Sequence, residues 1–313
     1  MKHDVTLSII MVTHNSGSVL SGCLEAIRQN TSTPLEVIIV DNCSSDDTLS
    51  IIAANPFVRL CRNSNNVGFA SACNQGIALT SGEYFVLLNP DVILCRDSLD
   101  RLARWLDLYP DVGIVGPQSM DEHGCVQPYR TTRPGIIDYL ASRLFPAPRR
   151  NYSRHTDWVS GFCMMARRTV FDNIGGLDEG YFMYSEDVDW CLRARDAGWK
   201  VVLLAAAAAV HSGGGGHSAR VDHAARIFNV KQSYLRLFAR HRGRATYLMM
   251  KGVLAVESLV KLGWDLCTYP LTSRQDRATK AARMFGYRKL LQYLGGPPRF
   301  MLPATGGSVL PVK

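Results

Sequence analysis

Short apolar runs alternate with stretches of helical spacing along the first two thirds of the chain. That alternation predicts an α/β fold, a mostly parallel sheet covered by helices on both faces. Leu7 to Val12 reads as a first strand, followed by a helix over 18–29. Leu35 to Val40 is a second strand that stops at Asp41, Ser45-Asp46-Asp47 starts a helix to Asn55, and Val58 to Cys61 is a short third strand. Gly68 to Leu79 is helical, Tyr84 to Leu88 is a continuous apolar strand halted by Asn89-Pro90-Asp91, a helix covers 96–109, and Val112 to Val115 is a strand. Periodicity then fades: Pro, Gly and Arg are frequent over 117–156, which reads as a long loop and a mobile flap. Strand character returns at Trp158 to Ala166 and at Lys200 to Leu204, and an alanine run leads to Val210-His211 and the glycines 213–216, a lid hinge or a plain loop. Beyond Ala219 the pattern is helical to Leu294, so the chain divides into an α/β domain over 1–218 and a helical extension over 219–313.

One helix stands out chemically. Glu186, Asp187 and Asp189 fall in the first turn of a helix that Ser185 is placed to cap and Gly198 to end. The helix dipole favours ionised carboxylates there, which suits a general base; a plain helix start explains the same residues.

Composition narrows the classes. With 313 residues and 47% hydrophobic content the chain can bury a sizeable core. Its nine cysteines are scattered with no C-x-x-C pair, the pattern of reduced thiols in a cytosolic compartment rather than a disulfide framework or zinc site. The N-terminal apolar stretch is too short for a signal peptide, and Lys251, Glu257, Lys261 and Asp265 interrupt the only long apolar run, so no membrane span is expected. Charge is uneven: residues 220–300 hold sixteen Lys or Arg against four acids, whereas 1–219 hold eighteen against twenty-three.

In open parallel sheets ligands bind beyond the carboxyl ends of the strands. Thr13-His14-Asn15, Asp41-Asn42 and Asn89-Pro90-Asp91 sit at such ends. A strand-end Asp41 suits a ribose or a base N–H, or equally an ordinary turn. Asn66-Val67-Gly68 opens a helix where backbone approaches a nucleotide closely, yet neither G-x-G-x-x-G nor a P-loop occurs, which weighs against dinucleotide dehydrogenases and P-loop enzymes. Asp91 is a candidate ligand for Mg²⁺ or Mn²⁺ gripping a diphosphate, and His211 a candidate second ligand or a structural strand-end histidine.

Seven segments together resemble the family-two glycosyltransferases of GT-A type fold, especially the bacterial rhamnosyltransferase-like branch. They are S-I-I-M-V-T-H-N-S (8–16), V-I-I-V-D-N-C-S-S-D-D-T (37–48), N-N-V-G-F-A-S-A-C-N-Q-G (65–76), F-V-L-L-N-P-D-V (85–92), V-S-G-F-C-M-M-A-R-R (159–168), G-G-L-D-E-G-Y-F-M-Y-S-E-D-V-D-W-C-L-R (175–193) and V-H-S-G-G (210–214). The resemblance implies inverting transfer of a sugar, a deoxysugar such as L-rhamnose, from a dTDP- or UDP-linked donor to a glycan or polyprenyl-linked acceptor in surface polysaccharide synthesis. It assigns the base to Asp187 and acceptor contacts to Glu186 and Asp189, and the Tyr181-Phe182-Met183-Tyr184 loop and Trp190 read as aromatic packing beside the acceptor's sugar ring or as core. The nucleotide-sugar falls to Thr13, His14, Asn15, Asp41, Asn66, Gly68, Asn89 and Gly161, and the metal to Asp91 with His211. Asn89 stands where the family's D-x-D motif has its first Asp, so a weakly held metal is expected.

In the tail, Lys251, Glu257, Ser258, Lys261 and Asp265 share one arc of a helix over 247–266 and leave a broad apolar face, Leu254 excepted. That describes a helix lying in a membrane plane, or one packed on the catalytic domain. With Arg236, Arg240, Arg242 and Arg244 nearby, a cytoplasmic protein peripheral on the inner face of the membrane is expected. The alternatives to an enzyme are a silent nucleotide-binding relative and a basic nucleic-acid binder; the latter lacks any recognised motif, and no nucleic-acid partner is expected.

Overall fold

The computed structural model describes residues 6–129, 131–145, 147, 152–211 and 223–296. The chain forms two compact units, Met1–Arg220 and Val221–Lys313.

The first unit is built on one nine-stranded mixed sheet. Strands β1 (Leu7–Thr13), β2 (Leu35–Asp41), β3 (Val58–Arg62) and β4 (Tyr84–Leu88) run parallel in the order β3-β2-β1-β4. The sheet continues with β8 (Cys163–Arg167), β6 (Val112–Met120), β9 (Lys200–His211) and β5 (Val92–Leu94), while β7 (Arg154–Thr156) pairs with β9. β8 is antiparallel to both neighbours, whereas β6 and β9 are parallel to each other. The carboxyl ends of β1, β2, β4, β6 and β9 therefore share one rim, and β8 begins there.

Apolar runs rich in β-branched residues and leucine bury both faces of β1, β2 and β4. Leu7, Ile9 and Met11 of β1 point to a core shared with Leu20 and Leu24 of α1 (Gly17–Asn30) and Leu99, Leu102 and Leu106 of α4 (Ser98–Leu108). Ile10 points to the other face, toward Cys73 and Ile77 of α3 (Phe69–Ala78), Val170 of α6 (Arg168–Ile174) and Trp190 of α7 (Glu186–Asp196). Alternation along a strand, period two, feeds the two cores.

Two expectations are corrected. The stretch 117–156 is not one long loop: β6 runs on to Met120, and α5 (Ile136–Leu144) and β7 lie within it. The alanine run is part of a single β9 up to His211, which takes up three extra residues between its pairings to Pro117 and Gln118. The helix begun by Ser45-Asp46-Asp47 is the short α2 (Thr48–Ala53), and Asp46 Oδ1 accepts from the Thr48 N–H at 3.1 Å. The glycines 213–216 lie outside the described residues.

The second unit contains α8 (His223–His241), α9 (Gly243–Thr268) and α10 (Arg274–Gly295), which pack on one another. α8 and α10 approach closely at Gly286, where a Cβ would meet the Ala224 Cα at 2.9 Å. Among the described residues no helix is long and apolar enough to cross a membrane.

Candidate active site

The ends of β1 and β2 are locked together. Thr13 and Asp41 are register partners; the Thr13 hydroxyl donates to Asp41 Oδ1 at 2.9 Å, and Ser44 donates to the same carboxylate from its N–H at 2.9 Å and its hydroxyl at 2.5 Å. Asp41 is fully buried. Its neighbour Asn42 lines the cleft, donating to the Gly68 carbonyl at 3.1 Å and accepting from Asn63 at 2.9 Å. Asn15, with φ 53°, is spent on the same corner: its side chain accepts from the Ser45 N–H at 2.8 Å. His14 Nδ1 contacts the Asn42 carbonyl at 2.7 Å.

The cleft itself measures about 580 Å³, part of it open to solvent, and is lined by His14, Asn42, Asn66, Gly68, Asn89, Asp91 and others. Phe182 and Met183, from the segment before α7, close its far side. That segment is tied down at Gly68, whose φ of +90° and close approach to the Phe182 carbonyl, 2.7 Å from an added Cβ, admit no side chain. The Phe69 N–H donates to that carbonyl at 2.8 Å.

Asp91 and His211 come together because β5 pairs antiparallel with the end of β9, setting Val92 opposite His211. Asp91 is buried, and its Oδ1 lies 3.6 Å from His211 Nε2. The His211 ring stacks on Phe162 with centroids 5.1 Å apart. Among the described residues no three His, Cys, Asp or Glu side chains gather as a metal cage. One carboxylate and one imidazole at the cleft still fit a hard cation that completes its shell with phosphate oxygens and water.

Asp187 is held from both sides. Its Oδ2 accepts from the Gly161 N–H and its Oδ1 from the Val188 N–H, each at 2.8 Å. A Cβ on Gly161 would sit 3.3 Å from the Asp187 Cβ, so the Asp187 side chain rests directly on a bare backbone. Burial raises the Asp187 carboxyl above its ordinary range, and the Gly161 N–H opposes that rise. Glu186 is buried, its Oε2 has no hydrogen-bond partner, and burial followed by the charges of Asp187 and Asp189 pushes it well above the usual carboxylate range. Phe162, next to Gly161, links the two halves of the site: its carbonyl accepts from the Asn89 N–H at 2.9 Å while its ring backs His211.

Two residues assigned to the acceptor are corrected. Asp189 and Trp190 are fully buried. Asp189 pairs with Arg193 at 2.9 Å, and Arg193 in turn holds the carbonyls of Ile174 and Gly176. Trp190 donates to the Gly175 carbonyl and packs on Phe85. α7 is buried on most of its circumference, Glu186, Val188, Cys191 and Leu192 included, and in its first turn Asp187 alone keeps partial exposure. Nor does Ser185 cap with its side chain: Tyr184 and Ser185 both take positive φ, a tight left-handed corner that starts α7. Phe182 and Met183 belong to the loop that the sequence set beside a sugar ring, whereas Ser44 and Phe162 were not in the expected set, although both stand inside the matching segments.

The family model for Glycosyl transferase family 2 matches residues 8–175. The chain is 31% identical over 269 residues to an N-acetylglucosaminyl-diphospho-decaprenol L-rhamnosyltransferase of Mycobacterium tuberculosis, covering 76% of this chain and 85% of that one. It is 27% identical to rhamnosyltransferase WbbL of Escherichia coli over 206 residues, 61% of this chain and 77% of that one. Among solved structures, the mannosyltransferase PcManGT from Pyrobaculum calidifontis, in complex with GDP-Man and Mn²⁺, superposes with a TM-score of 0.56 at 17% identity, covering 93% and 88% of the two chains. A S. aureus TarS structure does so with a TM-score of 0.54 at 17% identity over 92% and 90%. At that identity the two structures bear on the GT-A type fold alone.

Proposed function

The chain belongs to glycosyl transferase family 2, and from that membership we propose an inverting, metal-assisted transferase. It moves a deoxysugar such as L-rhamnose from a dTDP- or UDP-linked donor to a hydroxyl of a polyprenyl-linked glycan, in the synthesis of a bacterial surface polysaccharide. The observation that carries this reading is Asp187, a carboxylate fixed by two backbone N–H groups and joined through Gly161 and Phe162 to the Asp91–His211 corner. The names of the M. tuberculosis and E. coli relatives support the donor and the lipid-linked acceptor.

In this reading the donor's nucleoside lies over the Thr13–Asp41–Ser44 corner, lined by His14, Asn42 and Asn66. Asp41 sets that corner by accepting from Thr13 and Ser44. Asp91 and His211, beside Asn89, would hold Mg²⁺ or Mn²⁺, which when bound would supply positive charge against the departing diphosphate. Asp187 takes the proton from the acceptor hydroxyl. The hydroxyl oxygen bonds to the anomeric carbon from the face opposite the diphosphate, and the bond to the diphosphate oxygen breaks with its electron pair leaving on that oxygen. One displacement inverts the configuration.

Asp187→Asn tests the assignment alongside a thermal-shift panel of dTDP-, UDP- and GDP-sugars with and without Mn²⁺. The expected result is a melting shift with one nucleotide-sugar that survives the substitution, while transfer falls about 10²- to 10⁴-fold. Absence of a shift with every donor, or full turnover by the variant, overturns the reading.

A further inference from the structure

The polarity of α9 is inverted. Its polar side chains face α8 and α10: Glu257 accepts from Lys231 at 2.7 Å, Asp265 pairs with Arg283 at 2.9 Å, and Ser258 and Asp265 are buried beside Tyr247, Met250 and Leu254. Lys261, on the same arc, turns to Glu257 at 2.5 Å. The opposite face carries Leu248, Met249, Val256, Leu259, Val260 and Trp264, all exposed, Trp264 at 68%. Gly252 and Gly263 lie on that face with nothing within 4 Å of an added Cβ. At 100° per residue, none of the four charged residues from 246 to 268 falls on it. Residues 248–264 of this helix therefore present an uncharged apolar stripe about 24 Å long at 1.5 Å per residue.

We propose that this face of α9 lies flat on an anionic lipid surface. Contiguous exposed apolar area of this extent marks an interaction site in a folded protein. Too short of apolar residues on its inner arc to cross a bilayer, the helix suits the interface plane, where its stripe enters the acyl boundary and the Trp264 indole sits at headgroup level. Charge selects the occupant. Residues 220–300 carry a surplus of twelve positive charges, sixteen Lys or Arg against four acids, which an anionic leaflet attracts. A second copy of the same unit, seated face to face, brings that surplus against itself. The assignment does not depend on the transferase chemistry.

The test uses the full chain in flotation with vesicles of phosphatidylcholine alone and with added phosphatidylglycerol, together with light scattering in solution. The protein is expected to float with the anionic vesicles and to be released by high salt. The triple substitution Val256→Gln, Val260→Gln and Trp264→Gln, at exposed positions, should lower partitioning about tenfold while the melting temperature holds. In the wild type, lipids brominated along the acyl chains should quench tryptophan emission, and Trp264→Phe should remove most of that quenching, a readout that does not rely on the triple variant folding. Failure to float, or flotation and quenching indifferent to these substitutions, overturns the proposal. So does a solution dimer that the triple variant dissociates while vesicles stay unbound, which would mean that a second copy covers the face. No sugar transfer is measured, so this result and that for Asp187→Asn fail independently.

Discussion

At the scale of single residues the site turns on two adjacent carboxyls with different surroundings. Asp187 has two N–H donors and partial exposure; Glu186 is buried with one oxygen unpartnered. Burial first, and then the charges of Asp187 and Asp189, disfavour ionisation of Glu186, while the Gly161 and Val188 N–H groups oppose the rise that burial causes at Asp187. For a carboxyl raised on folding, the native state binds more protons than the unfolded chain. Its stabilising share is complete below the unfolded value and is lost as pH rises toward the folded one. Glu186→Gln, which copies the protonated acid, should therefore flatten the fall in melting temperature above the ordinary carboxylate range, each kcal/mol recovered appearing as about 2–4 °C. Transfer at neutral pH should be retained. A variant less stable than wild type at neutral pH would mean that Glu186 is charged and paired. The presence of carboxylates at this helix start was legible in the sequence. Which of them faced the rim was not, because a one-residue step around a helix is 100° and only packing on the sheet sets its origin.

At the scale of elements, the segment 181–185 is shaped by what it must reach. Tyr184 and Ser185 adopt left-handed backbone, which costs non-glycine residues on the order of 1–2 kcal/mol each, and the hold on Gly68 offsets it. Gly68→Ala should break that arrangement. Its Cβ would collide with the Phe182 carbonyl at a φ that alanine resists, so a loss of about 1–3 kcal/mol in urea unfolding is expected, together with weaker donor binding as Phe182 and Met183 shift. Unchanged stability would show that the segment is not clamped there. The strands of the parallel half were readable to within a residue, since each is a bounded apolar run. β5 and β7, three residues each, and α5 were not, because elements so short or so exposed owe their conformation to neighbours rather than to their own periodicity.

At the scale of the whole molecule, nine unpaired cysteines report on how the chain is packed. Cys43, Cys125 and Cys267 are exposed, whereas Cys23, Cys73, Cys163 and Cys191 are buried, and burial pushes the Cys163 thiol up to about 12. A thiol titration of the native protein should show three fast-reacting groups, with the four buried ones reacting only on unfolding. Fast reaction of Cys163 or Cys191 would contradict the packing of β8 and α7. The sequence by itself determined the family, the parallel half of the sheet, the strand ends that bear polar residues and the surplus of positive charge in the tail. These are properties of local pattern and of order along the chain. Tertiary structure alone decided that β8 runs antiparallel and so lays Gly161 under Asp187, that β5 and β9 bring Asp91 to His211, and that α9 turns its charges inward. Strand direction, pairing and helix rotation are fixed by contacts between residues far apart in the chain, and no local pattern encodes them.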